Sequence, residues 1–217
     1  MNMYPYAYLV WCLLFALVWM CMYVTKKDMR RNMLRMSFFS APLGPISEYF
    51  HVSDYWRPET VTGTLIGPED VLVAFFIGGI SAVIYAWVSG TRERAKKDGV
   101  WYVLAGGYVL GALILTTGMW LGLGSVITTF TLFSMCIVLS VVFRPRLFMP
   151  MLLSGLCFAL FLFAFYLLFF ALFPGIVDAW WFGASGTRFI GVPLEEIAWG
   201  FLWGMVAGVC YEVVART

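Results

Sequence analysis

The sequence predicts an all-α fold: a polytopic helical membrane protein of seven transmembrane helices with an internal parallel repeat, three helices, a linker helix, then three more. Three observations predict it. The 217 residues are 62% hydrophobic and only 12% charged, with a mean hydropathy of +0.88, whereas an average globular domain is about half apolar and a quarter charged. Apolar runs long enough to cross a bilayer recur along the chain. Two stretches that resemble each other, IGPEDVLVAFF (66–76) and GVPLEEIAWGF (191–201), each set a Pro and two acids at the mouth of an apolar helix.

Six runs reach the roughly 20 residues a spanning helix needs: 4–24, 69–88, 100–118, 121–143, 147–173 and 193–214. The first is no cleavable signal peptide, because its positive charges follow it rather than precede it. The stretch 33–51 is ambiguous. It holds Pro42, Gly44, Pro45 and Glu48. Charge resolves it: Lys26, Lys27, Arg30, Arg31 and Arg35 follow the first run, Arg92, Arg94, Lys96 and Lys97 the second, and Arg144, Arg146 and Arg216 come later. Loops rich in Lys and Arg stay cytoplasmic, and these clusters share one side only if 33–51 crosses. That gives seven spans, with the N-terminus outside, the C-terminus cytoplasmic and both acid motifs at outer helix ends. Six spans with a re-entrant 33–51 is the alternative.

The repeat extends beyond the motifs. Aligning Glu69 with Glu195 without gaps sets Asp70 on Glu196, Phe75 on Phe201, Gly78 on Gly204 and Tyr85 on Tyr211. Upstream, Asp54-Tyr55-Trp56 corresponds loosely to Asp178-Ala179-Trp180-Trp181. The expected units are 1–98, a linker helix at 99–119, and 120–217. Small residues recur every fourth position after each motif: Ala74, Gly78, Ala82 and Ala86, then Gly200, Gly204 and Gly208. Such stripes let helices approach closely, so the two motif helices are expected to pack together and bring both acid pairs near one another. Asp70 and Glu196 lie on the striped face, with Glu69 and Glu195 about 100° round.

Net charge is +2, and no basic run is interleaved with aromatics outside the loops, so no nucleic acid partner is expected. The five cysteines lie inside apolar runs without CxxC or Cys/His spacing, which supports neither a disulfide framework nor a metal site. The lone His51 cannot build a metal site alone. No GxGxxG fingerprint occurs, and no cofactor is expected.

Carboxylates at membrane depth are costly and usually functional; acids in a first helical turn also serve as ordinary caps. Duplication, each copy with an Asp and aromatics nearby, favours function. Arg57 and Arg188 are expected as ion-pair partners of the acids. Tyr4, Tyr6, Tyr8, Trp101 and Trp120 fit an interfacial belt, while Trp56, Trp180, Trp181 and Trp199 cluster around the acids in the sequence. Aromatic faces stabilise cations, so acids among them suit chemistry that protonates an apolar substrate and passes through a carbocation.

GPISEYFHVSDYWRPETVTGTLIGPEDVLVAFFIGG (44–79) and GVPLEEIAWGFLWG (191–204) resemble the lycopene cyclase domain of the membrane-embedded carotenoid cyclases, which occur as two small subunits or one fused chain. The resemblance implies an enzyme that folds the linear ψ-ends of a carotenoid into β-ionone rings without net redox change. The family's acid motif maps onto Pro193, Glu195 and Glu196, and its first-domain counterpart onto Glu69 and Asp70. Pro68 directly precedes Glu69, whereas Pro193 stands two before Glu195, so the two halves need not be chemically equivalent.

The expected catalytic residues are therefore Glu195 as acid, with Glu196, Glu69 or Asp70 as base. Trp56, Trp180, Trp181, Trp199, Phe75 and Phe201 are expected around the substrate, with Asp54, Arg57, Pro193 and Glu48 supporting them. A free Glu is protonated only about once in 500 at pH 7. Burial and a neighbouring carboxylate oppose the helix N-terminus in setting that fraction. The expected partners are the lipid bilayer and an apolar carotenoid, with a homo-oligomer or other carotenoid-pathway enzymes compatible. A secondary transporter also has repeats, broken helices and membrane acids, and is the competing class; a cyclase or hydratase of another isoprenoid is a nearer one.

Overall fold

The computed structural model describes residues 4–90 and 101–210. The basic cluster at Arg92–Lys97, Arg216 and the repeat partner Tyr211 lie outside the described residues. The described chain is mostly helical: α1 (Ala7–Thr25), α2 (Arg30–Ser40), α3 (Leu43–His51), α4 (Pro68–Ser89), α5 (Trp101–Trp120), α6 (Ser125–Phe143), α7 (Phe148–Leu172), α8 (Ile176–Trp180), a short hairpin of β1 (Arg188–Phe189) and β2 (Val192–Pro193), then α9 (Leu194–Ala207). Among the described residues, four segments are long and apolar enough to cross a membrane: Ala7–Thr25, Pro68–Ser89, Ser125–Phe143 and Pro145–Leu172. That fits a membrane protein.

The ambiguous stretch 33–51 is a broken helix. α2 ends at Ser40 and α3 begins at Leu43, with the break at Pro42, whose ring cannot continue a helix interior. The pair nevertheless runs along one neighbour. Ser37 and Ser40 of α2 lie against Gly79 and Gly78 of α4, and Gly44 of α3 lies against the Asp70 carbonyl. α2–α3 is thus antiparallel to α4. α1 runs the same way as α4, with Tyr8 at Asp70, Trp19 at Gly79 and the Thr25 hydroxyl accepting from Trp87 at 3.1 Å.

The second part is built on similar contacts. α7 is antiparallel to α9: Tyr166 meets Glu196, Leu162 meets Gly200 and Phe158 meets Gly204. A Cβ on Gly204 would lie 2.7 Å from the Phe158 Cβ, too close for any side chain. The small-residue stripes therefore face α2 and α7. They do not face each other, as the sequence suggested. Gly78 seats α2, and Gly204 seats α7. α4 and α9 are tied instead by Trp203, whose indole N–H donates to Ser81 at 3.0 Å. α5 packs on α6, with Gly118 against Thr128 and Gly111 against Leu132.

Two helix boundaries follow from backbone chemistry. Gly90 closes α4 in the left-handed region at φ +70°, which glycine adopts without steric cost. The β1–β2 hairpin turns on Ile190 (φ +50°) and Gly191 (φ +85°). Two positive φ angles are what a type I′ two-residue hairpin turn demands, and Ile190 meets the demand against its own preference.

Candidate active site

Both acid motifs open their helices at the same end of the bundle, and acids from both line one cavity of about 220 Å³. Asp70 on α4 accepts from the Tyr8 hydroxyl at 2.6 Å and from the Gly67 backbone N–H at 2.7 Å. The second contact is an N-terminal cap, so at this residue capping and cavity roles coexist. Glu196 on α9 accepts three side-chain hydrogen bonds: from the Tyr55 hydroxyl at 2.7 Å, from the Trp181 indole at 2.8 Å and from the Tyr166 hydroxyl. No cap contact is among them. Burial, and next the Glu196 carboxylate, hold the Tyr55 phenol far above its ordinary range, so Tyr55 stays a donor.

The partners of the motifs diverge. Glu195 lines the cavity, yet its Oε1 accepts from the Ser185 N–H at 2.7 Å, in the exposed loop before β1. Glu69 is buried but turned away, accepting from the Val61 N–H at 2.6 Å, and is not among the cavity residues. Adjacent positions on a helix point about 100° apart; on α4 this leaves only Asp70 on the cavity, whereas on α9 both Glu195 and Glu196 reach it.

Glu48 is the fourth cavity carboxyl. It sits on α3, 3% exposed; its Oε2 accepts from the Trp56 indole at 3.0 Å, and its Oε1 has no hydrogen-bond partner. Trp56 and Trp199 line the cavity. Trp181 stands behind Glu196 as a donor. Trp180 is core, packed on Tyr4, Tyr8 and Phe169. Phe75 packs with Trp19, Phe38 and Phe76, and Phe201 lies against Gly155 on α7. These last three do not line the cavity.

Neither arginine meets the motif acids. Arg57 donates to the Val52 carbonyl at 3.0 and 3.2 Å and lies over the Phe182 ring, and Arg188 pairs with Asp178 at 2.5 Å. Hydroxyl and indole donors take the place the arginines were expected to fill. Asp54 is structural. It accepts from the Ser125 N–H at 2.7 Å and from its hydroxyl at 2.5 Å, fixing the start of α6. Pro193 ends β2 and sets the start of α9. Two backbone bonds, Arg57 N–H to Trp180 carbonyl and Gly183 N–H to Tyr55 carbonyl, both 2.9 Å, lock the segments after α3 and α8 over the site.

Sequence reasoning missed Tyr8, Tyr55, Tyr166 and Trp11. Tyr8 is no belt residue; it is buried and bonded to Asp70. Trp11 lines the cavity, with its ring centroid 6.1 Å from Trp56, 6.0 Å from Trp181 and 5.3 Å from Tyr166. One signal was available for Tyr166: a single hydroxyl within LFLFAFYLLFF must find a partner once buried.

Buried carboxyls held by phenols and indoles beside aromatic rings are an arrangement chemically suited to acid–base work on an apolar molecule. Residues 124–214 match the family model described as lycopene cyclase. The match supports a lycopene cyclase-like function. No curated protein and no solved structure matches the chain significantly.

Proposed function

We propose that the chain is a carotenoid cyclase of the lycopene β-cyclase type, converting a linear ψ-end into a β-ionone ring by intramolecular, non-redox chemistry. The observation that carries the reading is the meeting of Glu48 and Asp70 from one half with Glu196 from the other in one aromatic-walled cavity. A cavity carboxyl gives its proton to the terminal C=C. The next C=C attacks the cation and closes a six-membered ring. A carboxylate then removes a ring proton, so atoms balance and no cofactor is consumed. The rings of Trp11, Trp56 and Trp199 face the cation, and Glu196, fixed by Tyr55, Trp181 and Tyr166, supplies a carboxylate that cannot swing away. General acid–base catalysis of this kind is worth about 10²- to 10⁴-fold.

The same reading takes 1–98 and 120–217 as parallel repeats joined by a linker helix at 99–119. It takes α2–α3 as one crossing, for seven in all, with the N-terminus outside and the C-terminus cytoplasmic. The antiparallel run of α2–α3 against α4 supports that count. The substrate reaches the cavity sideways from the bilayer.

The test is purified protein in detergent, given lycopene with no gradient present and followed by pigment chromatography. Ring-bearing products are expected. Unconverted lycopene with folded protein would overturn the reading and favour a transporter, which needs two compartments to act.

A further inference from the structure

We infer that Glu48 is the proton donor of the reaction, a catalytic residue lying outside both acid motifs. The inference rests on the cyclase reading and deepens it by assigning the acid. The carboxyl oxygens of the cavity differ in what they accept. Both oxygens of Asp70 accept hydrogen bonds, one from Tyr8 and one from Gly67. Both oxygens of Glu196 do as well, from Tyr55 and Trp181 on one side and Tyr166 on the other. Every oxygen of these two carboxyls is therefore held by at least one donor, which suits them to stay ionised and take up a proton rather than to start the reaction as the acid.

Glu48 differs. Trp56 holds Oε2 and so fixes the carboxyl plane, while Oε1 is buried with no partner in a residue that lines the cavity. An oxygen that is buried and unmatched is expensive to maintain, and such groups mark functional positions. An O–H at Oε1 resolves the mismatch when it donates to the π-electrons of a substrate. Glu195 Oε2 is the other cavity-lining acid oxygen without a partner. That oxygen is buried too, but its carboxyl is held through Oε1 by the Ser185 N–H of an exposed loop and the residue as a whole is only half-buried, whereas Glu48 is 3% exposed. Glu48 keeps its proton out of water, where it reacts with a C=C.

The step balances. The Glu48 O–H bond breaks as a C–H bond forms on the terminal alkene carbon, leaving a carboxylate on α3 and a tertiary cation. Ring closure moves the cation, and loss of a ring proton to Glu196 or Asp70 forms the ring double bond. Return of that proton to Glu48 completes the cycle.

The test compares wild type, Glu48→Gln and Glu48→Asp, each purified, with bound lycopene followed by its visible absorption and ring formation by chromatography. Gln keeps the acceptor for Trp56 and loses the proton. The expected result is turnover slowed by about 100-fold or more in Glu48→Gln, unchanged lycopene binding, and at least roughly tenfold recovery in Glu48→Asp. Turnover in Glu48→Gln within about threefold of wild type, far short of the loss expected for a general acid, overturns the assignment while the cyclase reading stands. Loss of turnover together with lycopene binding, or no recovery in Glu48→Asp, marks a structural residue and also overturns it. No ring from the wild type overturns the cyclase reading and this assignment with it.

Discussion

Glu196 gathers three side-chain donors from three separate segments: Tyr55 after α3, Tyr166 on α7 and Trp181 after α8. Each hydrogen bond to a charged group is worth about 1.5–3 kcal/mol, so Tyr55→Phe is expected to slow turnover about 10- to 100-fold with the protein still folded. Steady-state rates on lycopene check this. Tyr55 also predicts a pH effect. Its phenol is held far above the ordinary range, by burial first and Glu196 second. The stability gained by keeping it neutral is full below about pH 10, the unfolded-chain value, and is lost as pH rises further, because the unfolded state then sheds a proton the folded state keeps. Thermal melts between about pH 9 and 11, either side of that value, should fall less steeply in Tyr55→Phe than in wild type. The acids of this site were legible in the sequence because a carboxylate in an apolar run has few innocent explanations. The tyrosines were not: at a span end, an aromatic that anchors to the interface and one that bonds to an acid look alike. Tyr8 reads as the first in the sequence and is the second in the structure.

At the scale of elements, the motif helices were legible through the Pro–acid–apolar order and the aligned glycines, but what the glycines faced was not. Spacing shows which residues share a face; it does not say which helix covers that face. Gly78 lies against Ser40 and the Met36 carbonyl, so Gly78→Ala forces α2 away from α4 and is expected to destabilise the protein by about 1–3 kcal/mol. Gly107, with nothing within 4 Å of its would-be Cβ, should accept Ala without loss. Thermal unfolding in detergent separates the two. The hairpin gives the opposite sign. Ile190 at φ +50° is a β-branched residue in a left-handed conformation, at a cost of about 1–3 kcal/mol. Ile190→Asn should raise the melting temperature, since Asn tolerates this region; an unchanged or lower value would remove the strain argument. The broken helix over 30–51 was half legible: Pro42 marked the break, and hydropathy could not show that both pieces follow α4.

The whole molecule brings two motif-bearing halves to one cavity. Asp54 fixes the start of α6, Trp203 reaches Ser81, and Tyr55 crosses to Glu196. One shared cavity means, under the proposed reading, that the two motifs do not each treat one end of a symmetric substrate. On the proposed function, a single-ring product should appear first in a time course and the two-ring product only after it, by release and rebinding; simultaneous appearance of two-ring product without the intermediate would contradict a shared site. The central claim is that the carboxyls of this cavity close the ring, and Glu196 is its best-anchored member. The most direct measurement is pigment chromatography from a lycopene-accumulating bacterial host expressing wild type or Glu196→Gln, with both proteins shown to be in the membrane in equal amount. β-ring products from the wild type and unchanged lycopene from the variant are predicted. Near-wild-type ring formation by Glu196→Gln would contradict the claim.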